Sequence, residues 1–112
     1  MASKRIILEM GAGNDLHGGN YTKAAVRAVQ DALHHSSLTF IRTLNLDKSK
    51  IDVIATIGVA EPGEVDTAEI AKQFPVGNIT VKPVKGGLNV PDEAIGDVAV
   101  IASAAIEVWL RD

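Results

Sequence analysis

A glycine-rich segment near the start of the chain, Gly11–Gly19, carries most of the residues that could do chemistry. It holds one carboxylate, Asp15, and one imidazole, His17, with Glu9 just before it and Lys23 just after it. An imidazole titrates near neutral pH and a neighbouring carboxylate can orient it, so Asp15 and His17 fit acid/base catalysis. Lys23 would bind a negative charge. The segment therefore predicts a small-molecule site, and whether that site turns over a substrate is left open.

A metal site is the second chemistry that these residue types allow. One imidazole with one or two carboxylates can hold an ion and leave positions for water or substrate, so Glu9, Asp15 and His17 are the candidate ligands. A third interpretation is structural, with Asp15 accepting hydrogen bonds from loop amides and His17 capping a turn. The spacing alone does not choose among the three, and the sequence identifies no cofactor.

The glycines of this segment predict a site for an anion. The candidate ligand-binding residues are Gly11, Gly13, Asn14, Gly18 and Arg27. Backbone amides of a glycine-rich turn that leads into a helix attract carboxylate or phosphate. Neither nucleotide-binding pattern is met, because Leu16 stands where a third glycine is needed and no Gly-Lys-Ser/Thr follows. We therefore expect a small anion, with a tight turn that binds nothing as the alternative. Arg27 and Asp31, four residues apart, also fit an exposed helical ion pair.

Hydrophobic periodicity predicts the elements that must position this segment. Arg5–Met10 alternates between apolar and polar residues as a half-buried strand does, and residues 11–20 have the glycine and asparagine content of a loop. An amphipathic helix is expected over Tyr21–His35, with Asn20 as its N-cap. Residues 36–46 favour a short helix.

The second half of the chain predicts three more strands and one more helix. Ile51–Val59 alternates as a strand, and Asp66 followed by Glu69 has the spacing of a capping box that begins a short helix. That helix is expected to end before residues 74–77, where a proline and a glycine stand.

The remaining residues complete a small sheet. Ile79–Val84 is predicted to be a strand, and Pro83 within it indicates an edge strand or a bulge. Residues 85–97 are predicted to be a loop, and Val98–Leu110 a long strand whose β-branched content outweighs a helical spacing. The predicted order is β-α-β-α-β-β. We expect a mixed four-stranded sheet with helices on one face, an α/β (α+β) fold.

Composition narrows the function classes. The 112 residues fit one domain, and the net charge of -3 with scattered Lys and Arg residues gives no basic face for nucleic acid. The absence of cysteine fits a reducing compartment, and no stretch has the length of a membrane span or the features of a signal peptide. We expect a cytoplasmic protein that binds neither nucleic acid nor membrane.

A scarcity of large side chains predicts self-association. Aromatic residues make up only 4% of the chain, which limits what one small core can bury. We expect a homo-oligomer, with three copies as the working assumption and Trp109 in the subunit interface. Ser103, between alanines, is expected in the core, and His34 and His35 at the end of the first helix.

The chain resembles a small family of uncharacterised proteins found in bacteria and plants. The resemblance rests on Gly11-x-Gly13-x-Asp15-x-His17-Gly18 and extends over residues 22–32, 57–59, 86–88 and 100–102. Gly13-Asn14-Asp15 is also similar to an element of the ring-opening cyclic amide hydrolases, which use serine and lysine, although the strand end at Thr56-Ile57-Gly58 has no serine. The first resemblance implies no particular activity; the second favours a hydrolase or lyase acting on a small anionic or cyclic amide compound. A non-catalytic ligand- or metal-binding module and an oligomeric structural protein are the alternatives.

Overall fold

A five-stranded mixed sheet with helices on one face forms the body of the computed structural model, which describes residues 3–34, 44–74 and 77–112. The strands are β1 (Ser3–Asp15), β2 (Ile51–Val59), β3 (Asn78–Lys85), β4 (Leu88–Asp92) and β5 (Asp97–Arg111); the helices are α1 (Tyr21–His34) and α2 (Thr67–Ala71). Two short 3-10 turns, Lys48–Lys50 and Pro62–Glu64, precede β2 and α2. The predicted fold class is confirmed.

The long strand β5 organises the sheet. The strand order is β1-β5-β2-β3, with β5 antiparallel to β1 and β2, and β2 parallel to β3. β4 also pairs with β5, so that Ser103 lies opposite Gly58 of β2 while Ile101 lies opposite Leu88 of β4. β4 thus continues along β5 where β2 stops, and the β4–β5 hairpin forms one end of the sheet.

The first strand is longer than its hydrophobic pattern predicts. β1 runs to Asp15, so the expectation that Gly11–Asp15 belongs to a loop is wrong. Gly11 and Gly13 face α1, and a Cβ atom at either position would lie within 2.6 Å of helix backbone atoms. The two glycines therefore allow α1 to approach β1 closely, and they do not break the strand.

The fifth strand, β4, was not predicted. It occupies residues 88–92, within the segment expected to be a loop, and it contains Pro91. A strand that pairs on one side tolerates a residue without an N–H group, and the register pairs Pro91 with Val98. The helix expected over residues 36–46 falls mostly outside the described residues; residues 44–45 form a turn.

The core lies between the sheet and α1. α1 buries a stripe of small residues against the sheet: Ala24, Ala25, Ala28, Val29 and Ala32. On the sheet side, buried residues alternate along β2 and β5. The opposite face of the sheet, called the open face below, carries no described helix. None of the described helices, the longest of 14 residues, has the length and apolar character needed to cross a membrane.

Both predicted helix caps are present. The Asn20 side chain accepts a hydrogen bond from the Lys23 N–H at 3.0 Å. Asp66 accepts from the N–H groups of Ala68 and Glu69. The reciprocal half of the capping box is replaced, because the Asp66 N–H donates to the Thr22 hydroxyl at 2.9 Å. That bond ties α2 to the first turn of α1.

Candidate functional site

The chemical residues of the glycine-rich segment lie where β1 turns into α1. Asp15 ends β1, and the turn passes through Gly18 and Gly19, whose φ angles are 93° and 59°. These left-handed angles favour glycine. At Gly19 a side chain would also meet Val98, since a Cβ atom there would lie 2.6 Å from its Cγ1. The turn is therefore held against the start of β5.

Asp15 is the buried centre of an ionic cluster whose two cations reach the surface. Its side chain is 6% exposed, and its carboxylate lies 3.8 Å from the Lys23 ammonium and 3.6 Å from the Arg27 guanidinium. The same carboxylate accepts a hydrogen bond from the Asn20 N–H at 3.0 Å. Two cations and one amide thus satisfy a charge that would otherwise be costly to bury. Asp15 and Lys23 do converge, in a cluster that joins β1, the turn and α1.

Arg27 and Asp31 both bind the outer edge of β1. The Arg27 guanidinium donates to the Asn14 carbonyl at 2.7 Å, and the Asp31 carboxylate accepts from the Ala12 N–H at 3.0 Å. Edge strands present unpaired backbone groups that otherwise invite another strand. The two side chains satisfy one acceptor and one donor of that edge, which gives them a structural role beyond a helical ion pair.

His17 turns away from Asp15 towards β5. Its Nδ1 atom lies 3.2 Å from Oδ2 of Asp97, and its side chain is 83% exposed. The other carboxylate oxygen of Asp97 accepts hydrogen bonds from the N–H groups of Gly18 at 2.9 Å and Val98 at 2.8 Å. The structure therefore separates Asp15 and His17 into two clusters, one on each side of the Gly18–Gly19 turn.

The hydrogen bonds at Asp97 fix its protonation and the tautomer of His17. The Gly18 N–H first, then the Val98 N–H and the His17 ring, lower the pKa of Asp97 below its ordinary value. Asp97 is thus ionised at neutral pH, and an ionised carboxylate only accepts hydrogen bonds. The Nδ1 atom of His17 must carry the hydrogen, which leaves Nε2 as the acceptor nitrogen of the neutral ring.

His17 and Asp97 stand on the wall of a groove of about 500 Å³ between the turn and the β4–β5 hairpin. The groove is lined by Leu16, His17, Val90, Pro91, Asp92, Glu93, Ile95, Asp97, Val98 and Ala99. Its size is that of a small-molecule pocket, and most of its walls are apolar. Its charged residues are all carboxylates, and the register places Asp92 directly opposite Asp97. Like charges in opposed positions repel, so this end of the groove attracts positive charge.

The three candidate metal ligands, Glu9, Asp15 and His17, do not come together in the part of the chain that the structure describes. Glu9 pairs with Ile106 in the middle of the sheet, six residues before Asp15 on β1, which is about 20 Å along a strand. Among the described residues no group of three or more His, Asp or Glu side chains is arranged to hold an ion. Glu9 therefore does not join Asp15 or His17.

One further expectation, that for Ser103, is wrong. Ser103 was expected in the core, and it is exposed on the open face between Ala12 and Gly58. It lies six residues from Asp97 along β5, which is about 20 Å. At that distance its hydroxyl cannot act as a nucleophile that His17 activates. Trp109 lies half-buried on the same face, and its indole nitrogen has no hydrogen-bond partner.

Asp97 was not among the residues predicted for the site. It stands 80 residues from His17 and follows Gly96 in an ordinary turn composition. Only the register of the β4–β5 hairpin, and the antiparallel pairing of β5 with β1, bring the two together. The one available signal was a carboxylate at the start of a strand predicted to be long and buried, a position where an unpaired charge is uncommon.

The fold and the site define a small α+β protein with a histidine–aspartate pair at a groove beside a sheet hairpin. The chain belongs to the family described as conserved hypothetical protein (Lin0512 family), whose model matches residues 5–108. It is also similar to a crystal structure of an FtsZ-like protein of unknown function from Nostoc punctiforme, at 31% identity over 100% of this chain and 99% of that chain, with a TM-score of 0.85. No curated protein matches the chain.

Proposed function

We propose that the groove binds a small molecule that carries N–H donors or a positive charge beside an apolar part. The observation that carries this proposal is the cluster of Asp92, Glu93 and Asp97 beside His17 in otherwise apolar walls. An ammonium, amidinium or amide N–H group would donate to these carboxylates and to Nε2 of His17. The apolar part would contact residues such as Leu16 and Ile95, which are exposed without a ligand.

The charge of the groove favours a ligand opposite in sign to the small anion expected from the glycines. The two cations of the segment, Lys23 and Arg27, are already shared with the buried carboxylate of Asp15. An anion beside Lys23 and Arg27 would compete with the carboxylate of Asp15, which the fold holds in place. We therefore assign the small-molecule site to the acidic side of the turn.

Hydrolysis of an amide-like bond is the reaction class that this arrangement fits. Nε2 of His17 would take a proton from water while the water oxygen bonds to the carbonyl carbon; the carbon–nitrogen bond then breaks as the imidazolium returns that proton to the leaving nitrogen. Water is the nucleophile because the residues lining the groove include no Ser, Thr, Cys or Lys. Cyclic amides combine N–H donors with such a bond, and His17→Ala should abolish their hydrolysis while leaving the protein folded.

A matched pair of small ligands tests the proposed binding. Isobutylamine and isobutyrate have nearly the same shape and opposite charge. Calorimetry with each therefore isolates the effect of the ligand's charge on binding affinity. We expect the amine to bind and isobutyrate not to bind. Asp97→Asn should weaken the amine by about tenfold, because it removes a charged acceptor, while Glu61→Gln, an exposed carboxylate away from the groove, should not. Equal affinity for the two ligands would contradict the proposal.

A further inference from the structure

The open face of the sheet is unusually apolar for a surface that faces water. Exposed antiparallel sheets normally alternate, with polar side chains outwards. Apart from Val90, which lines the groove, five large apolar side chains point outwards here, each between 39% and 67% exposed: Leu8, Met10, Val84, Leu88 and Ile101. We call these five residues the open-face patch. They come from four different strands, so the patch spans the width of the sheet.

The patch surrounds a floor of small residues. The register places Ala12, Ser103 and Gly58 side by side across β1, β5 and β2. Met10 lies next to this row on β1. Flat rows of small residues let another sheet approach to about 10 Å, and long apolar side chains at the margin fill the remaining space. The shape is therefore self-complementary.

We propose that the open-face patch is the contact between two copies of this chain, packed sheet against sheet about a two-fold axis. The area is just sufficient: the five strands hold 50 residues in all, and at about 3.3 Å along a strand and about 4.8 Å between strands they cover about 800 Å². A standard interface needs about 800 Å² on each partner. A two-fold contact sets the same apolar surface against itself, which is the arrangement that an apolar patch favours.

The charges on this face fit a second copy better than an unrelated charged partner. At the far end of β5, Arg5 pairs with Glu107 at 3.3 Å and Arg111 pairs with Asp52 at 2.9 Å. These four charges are paired within the chain. Lys82 of the edge strand β3, whose register partner Thr56 lies on this face, is exposed at its margin, where it can stay in water. The paired charges would lie at the polar rim of the interface, with the patch at its centre.

Single lysine substitutions in the patch test the proposal. Met10 and Leu88 are 67% and 54% exposed in the single chain, so Met10→Lys and Leu88→Lys should fold normally. Leu44, which is 61% exposed and lies in a turn outside the strands of the sheet, gives the control Leu44→Lys. Light scattering after size exclusion should show about 24 kDa for the native protein, twice 11.8 kDa. Each patch variant should raise the dimer dissociation constant by about 100-fold or more, since the two-fold axis buries each lysine twice.

The outcomes separate clearly. Dimers for the native protein and Leu44→Lys, with monomers for both patch variants, support the interface. A native monomer, a native trimer, or a dimer that survives both patch substitutions overturns it. Met10 and Leu88 do not line the groove, so amine binding by monomeric variants would leave the proposed function standing whichever result is obtained.

Discussion

Gly13→Ala adds one methyl group at the point where β1 lies closest to α1. The new Cβ atom would lie 2.3 Å from the Ala28 nitrogen and 2.6 Å from the Ala24 carbonyl oxygen. Both are backbone atoms, so no side-chain rotation relieves the contact. To restore an ordinary separation of about 3.5 Å, the helix must retreat by about 1 Å along this line. The substitution therefore forces apart the two elements that hold the Asp15 cluster.

The expected cost follows from the packing of α1. Adding a methyl group to a filled core costs about 1–3 kcal/mol, and the upper end applies because only backbone atoms can move. We expect Gly13→Ala to lower the free energy of unfolding by about 3 kcal/mol, a large part of the roughly 5–15 kcal/mol of an ordinary domain. Gly63→Ala is the matched control. Nothing lies within 4 Å of a Cβ atom there, and the loss of chain entropy in the unfolded state should stabilise the protein by about 0.5 kcal/mol.

Urea unfolding followed by circular dichroism measures the difference. With a slope of about 1.5 kcal/mol per molar urea, Gly13→Ala should lower the midpoint by about 2 M relative to the native protein. A midpoint equal to that of Gly63→Ala, together with loss of ligand binding, would refute the reasoning. It would mean that the motif glycine serves a ligand and that the close approach of α1 is not its reason.

Four further substitutions test separate parts of the structure, each by urea unfolding. Asp15→Ala should cost about 2 kcal/mol because it removes the charged acceptor of the Asn20 N–H, whereas His17→Ala should stay within about 0.5 kcal/mol of the native protein; equal effects would contradict the separation of the two clusters. The lowered pKa of Asp97 means that its carboxylate stabilises the fold above about pH 4 and loses that contribution as the pH falls through the lowered value. Asp97→Asn should therefore lose less stability than the native protein between about pH 4 and 2, and an unchanged acid profile would exclude this role. Thr22→Val should cost about 1 kcal/mol, since the hydroxyl that accepts from the Asp66 N–H is lost, and no change would show that this bond does not stabilise the fold.

The sheet and the long helix could be predicted because their residues repeat with clear periods. β2 alternates from Ile51 to Ile57, and the apolar stripe of α1 recurs every three or four residues. The predicted end of β1 came too early because glycine is usually taken as a residue that ends a strand. The alternation in fact continues through Gly11 and Gly13, which replace core side chains where the helix backbone comes close. A single sequence does not distinguish a glycine that bends the chain from one that admits a neighbour.

Only one of the two clusters at the site could be predicted from the sequence, because only its residues lie close together along the chain. The cluster of Asp15, Lys23 and Arg27 joins residues close in sequence, and the strand-to-helix connection suffices to bring them together. The partner of His17 depends on the pairing of β5 with two other strands, which a short sequence pattern does not encode. Asp97 therefore could not be found by inspection, and the sign of the groove's charge depends on it.

The position of a bound amine tests the central claim most directly. In a ¹H–¹⁵N NMR titration with isobutylamine, the account predicts that the amide signals of Gly18 and Val98, which both donate to Asp97, shift together. The amide of Lys23, on the other side of the turn, should not move. Saturable shifts at Lys23 and Asn20 with isobutyrate, and none at Gly18 and Val98 with the amine, would place the site at the Asp15 cluster and contradict the account.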